Sequence, residues 1–134
     1  MTIILCNDKS VLKSKIEAVL EMPYSIHSYN EHIDVRMESI VITIEQNLST
    51  YQEDLLSKMR QATYVVGVWA KDATSNYLSK SLENLFDSII CEKNLIQLKS
   101  LLESKKTILQ TPDCSEIKIK DIIRVNCQTG KKLK

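Results

Sequence analysis

The chain is nearly devoid of glycine. Only Gly67 and Gly130 occur in its 134 residues, and two glycines so far apart can build neither a P-loop nor a dinucleotide fingerprint. Large aromatics are also scarce, with one Phe and one Trp, so the core must come from Ile, Leu and Val. The four cysteines, Cys6, Cys91, Cys114 and Cys127, include no Cys-x-x-Cys pair and have no nearby His, which speaks against a metal site. Cys6 and Cys91 fall in apolar runs, where a thiol acts as a small hydrophobe. No apolar run approaches the ~18 residues needed to span a bilayer. The opening Met-Thr-Ile-Ile-Leu-Cys reaches an acid at Asp8 and has no basic leader. A cytoplasmic protein without membrane contact is therefore expected.

What the chain does have is alternation. Short apolar runs at Ile3–Cys6, Tyr24–His27, Ser39–Ile44, Tyr64–Trp69 and Ser88–Cys91 are separated by stretches of helical spacing. The run Ile40-Val41-Ile42-Thr43-Ile44 is β-branched throughout and is the clearest strand. Val11, Leu12, Ile16, Val19 and Leu20 make one helical stripe behind a cap at Asp8 or Ser10, and Met22-Pro23 stops it. Residues 28–38 are polar, with room for only a turn or two of helix. A second helix is expected over residues 51–61 with Leu55, Leu56 and Met59. A third is expected behind Thr74 or Ser75 with Leu78, Leu82 and Leu85 or Phe86, and a fourth from Asn94 with Leu95, Leu98, Leu101 and Leu102. Strand–helix alternation of this kind requires parallel pairing by crossovers, which predicts a three-layer α/β sandwich around a five-stranded parallel sheet.

Four of the runs end beside polar or charged residues: Asn7-Asp8, Glu45-Gln46, Lys71-Asp72 and Glu92-Lys93. The carboxyl edge of a parallel sheet is where α/β proteins place their sites. The order of these residues over 2–104 resembles a response-regulator receiver domain, of CheY/flavodoxin-like fold, with key positions changed. A receiver carries two acids after its first strand, which hold Mg²⁺ against a transferring phosphoryl group, and a phosphorylatable Asp after its third. Ser/Thr after the fourth strand and Lys after the fifth bind the phosphoryl oxygens. Here the matching positions are Asn7 and Asp8, Glu45, Trp69 and Lys93, with Asn94 in place of the usual Pro. The segments Asp8–Glu45 and Glu45–Trp69 are each several residues shorter than the family norm.

The resemblance with these changes implies a degenerate phospho-acceptor pocket. Glu45 already carries a carboxylate where a phosphoryl group would sit, and could pair with Lys93. Asn7 is a poorer Mg²⁺ ligand than Asp, and Trp69 supplies bulk where a hydroxyl is needed. Each residue also has a plainer role: Asp8 as a helix cap, Glu45 as a solvated strand-end acid, Trp69 as a cover on the sheet end, Lys93 as a surface cation. His27 and His32 have no partner spacing, and no Ser/Thr forms a nucleophile triad. The expected function is that of a pseudo-receiver, not an enzyme and with no cofactor. It would act as a phosphorylation-independent signalling and dimerisation domain of a transcriptional regulator. In receivers the fourth helix, fifth strand and fifth helix mediate pairing, which here implies a homodimer face of Lys80, Glu83, Asn84, Lys99, Ser100 and Glu103. Two alternatives stand beside it. One is a phosphorylatable receiver holding Mg²⁺ through Asp8 and Glu45, and the other is a small flavodoxin-like binder of nucleotide or flavin.

The charge is uneven. Residues 105–134 hold eight Lys/Arg against three Asp/Glu, about +5, leaving about −4 for the remainder. Residues 1–106 are accordingly expected to be the receiver-like domain and 107–134 a basic tail. The tail's Thr107-Ile108-Leu109, Pro112, Ile117-x-Ile119 and Ile122-Ile123-x-Val125 predict one or two short strands outside the five-strand unit, followed by a turn at Thr129-Gly130. They are similar to the opening of a winged-helix or LytTR-type DNA-binding effector, which is the one route by which nucleic acid would be a partner. Composition by itself favours a solvated tail.

Overall fold

The computed structural model describes residues 2–6, 10–28 and 39–117. The expected site residues Asn7 and Asp8, the polar stretch 29–38 and the basic tail from 118 onward lie outside them.

The five apolar runs form five strands: β1 (Thr2–Leu5), β2 (Tyr24–His27), β3 (Ser39–Ile44), β4 (Tyr64–Trp69) and β5 (Ser88–Cys91). β3 and β4 are buried along their full length, as continuous apolar strands covered on both faces must be. Two further short strands follow, β6 (Leu109–Gln110) and β7 (Glu116–Ile117). Among the described residues the seven form one sheet in the order β2-β1-β3-β4-β5-β6-β7, with all neighbours parallel except the β6–β7 pair. The sheet is thus α/β and mostly parallel, but it has seven strands where the sequence pattern predicts five. β6 takes up Leu109 and β7 Ile117 of the strands expected outside the unit, and both are instead joined to it at β5; the run Ile122–Val125 lies outside the described residues. Ser88 explains the docking, because its hydroxyl accepts from the Ile108 N–H at 2.9 Å and from the Tyr64 hydroxyl at 3.0 Å. One side chain thereby gathers the starts of β4, β5 and β6.

Strand periodicity sorts the core into two layers. Ile40, Ile42, Ile44, Val65, Trp69 and Ile89 point to one face. There they meet Leu56 and Met59 of α2 (Thr50–Ala62) and Leu85 of α3 (Leu82–Leu85). Val41, Val66, Val68 and Ile90 point to the other. There they meet Leu12 and Ile16 of α1 (Leu12–Val19), together with Leu95, Leu98, Leu101 and Leu102. Those four leucines belong to a 3₁₀ turn, Glu92–Gln97, that runs into α4 (Leu98–Ser104).

The face assignments fix the hand of each crossover. β1 to β2 steps one way across the sheet over the α1 face. β3 to β4 and β4 to β5 step the opposite way over the opposite face, so all three connections share one hand. β5 to β6 continues in the same direction as these last two, but α4 lies on the α1 face. That connection has the opposite hand, against a rule obeyed by nearly all parallel crossovers.

Three local expectations are corrected. Val11 occupies the N-cap position of α1 at 69% exposure, not the buried stripe. The Ser10 hydroxyl is buried with no hydrogen-bond partner among the described residues, and the N-cap position falls to Val11 instead. The helix expected behind Thr74 or Ser75 is a 3₁₀ turn (Ser75–Tyr77) followed by the single turn of α3. Its path is set by Glu53, a buried acid of α2 whose carboxylate accepts from the Ser79 N–H at 2.8 Å and from the Ser79 hydroxyl. Helix α2 itself begins with a capping box. The Ser49 hydroxyl accepts from the Gln52 N–H at 3.1 Å, and the Gln52 side chain accepts from the Ser49 N–H at 2.9 Å.

Candidate functional site at the carboxyl edge

Strand order reverses between β1 and β3, since the chain leaves β1 toward β2 on one side and resumes with β3 on the other. A crevice opens beyond the carboxyl ends at such a reversal. In this protein it is a cavity of about 310 Å³ lined by Leu12 and Lys15 of α1, Glu45 after β3, Lys71 and Asp72 after β4, and Glu92 after β5, with Val11 and Ala70 at its walls.

Local structure explains who reaches it. The Ala70 N–H donates to the Ile44 carbonyl at 3.0 Å and the Ala73 N–H to that of Ala70 at 2.9 Å, so the chain turns just past β4 and presents Lys71. In β5, Ile90 faces the α1 layer and Cys91 the opposite one. The next residue, Glu92, comes back to the α1 side. Its carboxylate forms an ion pair with Lys15 and accepts from the Lys71 N–H at 2.9 Å. Burial pushes the Glu92 carboxyl upward, but the Lys15 ammonium and the Lys71 N–H outweigh it and hold the group below the usual carboxylate range.

The expected pocket residues are not all gathered there. Glu45 is half-buried and lines the cavity. Lys93 is exposed, and its neighbour Glu92 lines the crevice instead. Trp69 neither covers the sheet end nor faces the cavity. It is 1% exposed in the core on the α2 side, and its indole N–H donates to the Gln110 carbonyl at 2.7 Å. Lys15 had no distinguishing signal in the sequence, being one polar position on an amphipathic helix. Glu92 was visible only as a strand-end acid.

A divalent cation finds little here. Of the acids a receiver would use, only Glu45 is described, and it shares the cavity with Lys15 and Lys71. Among the described residues no group of three His, Cys, Asp or Glu stands together as metal ligands.

The expected dimer face is divided. Lys80, Glu83 and Asn84 lie in and beside α3, while Lys99, Ser100 and Glu103 lie on α4, which packs on the other side of the sheet. β5 is not the margin between them, because β6 and β7 occupy that place. Lys80 pairs with Asp54 at 2.7 Å and Lys99 with Glu21 at 3.0 Å.

A larger opening of about 590 Å³, lined by Ser57, Arg60, Gln61, Lys80, Asn84 and Asp87, sits at the opposite, amino end of β4 and β5. Its size does not make it a site, since its charges are engaged in holding α2 to the sheet. Arg60 bonds Asp87 at 3.0 Å and the Glu83 carbonyl, and Asp87 accepts from the Val65 N–H at 2.8 Å. No helix among the described residues is long and apolar enough to cross a membrane. Comparison with protein-family models, with curated proteins and with solved structures returns no match.

Proposed function

We propose that this chain is a pseudo-receiver, a CheY/flavodoxin-like domain that works by protein contact, without phosphorylation and without catalysis. The order β2-β1-β3-β4-β5 supports it, being that of the flavodoxin-like doubly wound sheet, as does the position of the crevice. The observation that carries it is the charge of that crevice. Glu45, Asp72 and Glu92 face Lys15 and Lys71, and Lys15 is already committed to Glu92. A receiver leaves its Lys to meet a phosphoryl group, whereas here Glu92 already occupies the Lys15 ammonium and the Lys71 N–H, so the crevice's described donors are answered from within the chain. The partner we propose is a second copy, met at the margin built from α3, β6–β7 and α4, in the setting of a transcriptional regulator.

The test is a ¹⁵N–¹H spectrum and light scattering on the full chain before and after Mg²⁺ and beryllofluoride. The expected result is an unchanged spectrum at Glu45, Lys71 and Glu92, and a scattering mass of two chains throughout. Shifts at those residues that a chelator reverses would establish a working phosphoryl site and sink the proposal. A monomeric mass would remove pairing from it.

A further inference from the structure

Two cysteines meet beyond the end of β5. The Cys91 thiol is buried and donates to the Thr111 carbonyl oxygen at 3.1 Å. The Cys114 N–H donates to that same oxygen at 2.8 Å. Its side chain packs against the cluster that contains Cys91, so the shared Thr111 oxygen brings the two cysteines to one spot.

Each sulfur is placed by its own framework. Cys91 is held in β5, and its N–H donates to the Gln110 side-chain oxygen at 2.8 Å. Cys114 is held in the turn between β6 and β7. There the Thr111 N–H donates to the Ser115 carbonyl at 2.8 Å, and Asp113 accepts from the Ser115 N–H at 2.9 Å and from the Thr111 hydroxyl. Cys114 takes φ of 71°, a region that glycine enters without strain and that few side chains favour. A cysteine at a position suited to glycine, sharing the Thr111 carbonyl with a second cysteine, is hard to explain by packing. Access is graded as well. Cys114 is half-buried beside an open cleft of about 480 Å³ lined by Ala73, Thr111, Pro112 and Asp113, whereas Cys91 is sealed.

We propose that Cys91 and Cys114 are a disulfide-forming pair that reacts with a small-molecule disulfide of the glutathione type, and that the bond staples the β6–β7 turn to the end of β5. In the first step Cys114 loses its proton and its sulfur attacks one sulfur of the reagent. The reagent's S–S bond breaks, and one thiol leaves carrying that proton. In the second step Cys91 loses its proton and its sulfur attacks Cys114 Sγ. The mixed disulfide breaks and the second small thiol leaves. Two cysteine thiols are oxidised and one small disulfide is reduced to two thiols. Burial, with the Cys114 thiol beside it, pushes Cys91 up to about 12, so Cys91 does not start the sequence and is a poor leaving group once linked. The raised value makes the second step the slow one, and once the bond has formed it favours keeping it, because the high-pKa thiol is the poorer leaving group.

Trypsin separates all four cysteines, since residues 1–9, 81–93, 107–118 and 125–131 are different peptides. Native full-length protein, reduced and then incubated with oxidised glutathione, is to be digested and weighed. The expected product is peptide 81–93 joined to 107–118 and lighter by two hydrogens. It should be in at least about tenfold excess over any pair containing Cys6 or Cys127, a preference that urea abolishes. The oxidised chain should unfold at higher urea than the reduced one. Cys114→Gly should fold at least as well as the reduced wild type and leave Cys91 unmodified. Pairs in the same proportions with and without urea, or glutathione retained on Cys114 with Cys91 still a thiol, would overturn the proposal. So would rapid modification of Cys91 in Cys114→Gly, or a lower midpoint after oxidation.

Discussion

Gly67 lies in the middle of β4, in register with Ile42 of β3 and Ile89 of β5. A methyl group there would stand 2.9 Å from Ile44 Cδ1, 2.9 Å from Phe86 Cε1 and 3.0 Å from Phe86 Cδ1, inside the contact distance of carbon atoms. Ile44 and Phe86 are both fully buried. The end of Ile44 can turn away, whereas the Phe86 ring has little room to withdraw. Overpacking of this kind costs about 1–3 kcal/mol. Replacing glycine by alanine within a strand returns about 0.5–1 kcal/mol, so at mid-range values Gly67→Ala should destabilise by about 1 kcal/mol, and by no more than about 2.5 kcal/mol. For a chain of this length each kcal/mol lowers Tm by roughly 3–6 °C. Ile44→Val removes one of the clashing atoms and by itself costs about 0.5–1.5 kcal/mol. In the double variant the losses should fall short of additive by about 0.5–1 kcal/mol. Urea unfolding at equilibrium measures all four chains, with the m-value held constant as the check on a shared mechanism. A neutral or stabilising Gly67→Ala, or strict additivity with Ile44→Val, would refute the packing of Ile44 and Phe86 across Gly67.

Other perturbations have sharp outcomes. Glu92→Gln breaks the ion pair with Lys15, and because Lys15 is nearly half exposed the loss should be only about 1 kcal/mol near neutrality. The folded Glu92 carboxyl lies below its ordinary 4.5, so its contribution is present above that value and is lost as pH falls through the folded pKa. The gap between wild type and variant in urea midpoint should therefore be flat over about pH 6–8 and close below 4.5; a gap that widens in acid would contradict the assignment. Trp69→Phe leaves the buried Gln110 carbonyl unpaired and a void beside it, for about 2–4 kcal/mol. Hydrogen exchange should quicken at Leu109 and Gln110 before it does in β3, and uniform exchange would argue against the link. Ser49→Ala should cost about 1 kcal/mol and loosen only the first turn of α2, as read by amide exchange at Gln52 and Glu53.

The strands were legible because their signal is local. β3, β4 and β5 run over the same residues as the apolar runs that announce them, and the leucine spacing from Leu95 to Leu102 marks a buried stripe whether the backbone is 3₁₀ or α. What was not legible depends on partners far along the chain. The broken helix after Ser75 follows from Glu53 reaching Ser79, 26 positions away. Trp69 sits at a strand end in sequence, but period two sends it to the α2 face, and Gln110 supplies its acceptor from 41 positions further on. The crevice was found by topology alone. Its content was read one residue out of place, at Lys93 in place of Glu92, because the side-chain alternation at the end of β5 decides which of the two faces α1.

The opposite-handed passage from β5 to β6 follows from the room that the two helical layers leave. The face above β4 and β5 on the α2 side is already filled by α2 and α3. The leucine stripe of α4 has only the vacant half of the other face, beside α1, on which to bury itself. From there the chain can regain the sheet only at the outer edge of β5, and it does so with a strand of two residues whose pairing to β5 rests on Ile89 and Leu109. So short a pairing needs other anchors, and side chains provide them: Ser88 to the Ile108 N–H, Trp69 to the Gln110 carbonyl, Cys91 to the Thr111 carbonyl. On the pseudo-receiver proposal this arrangement has a consequence. The strand-four position that would answer to a phosphoryl group in a receiver is bonded here to the added strand, and the strand-five margin is covered by it. Glu45 and Glu92 reach the crevice from the side of β4 opposite that bond, so on this proposal a change of state acts on β6–β7, whose turn holds Cys114 beside the end of β5.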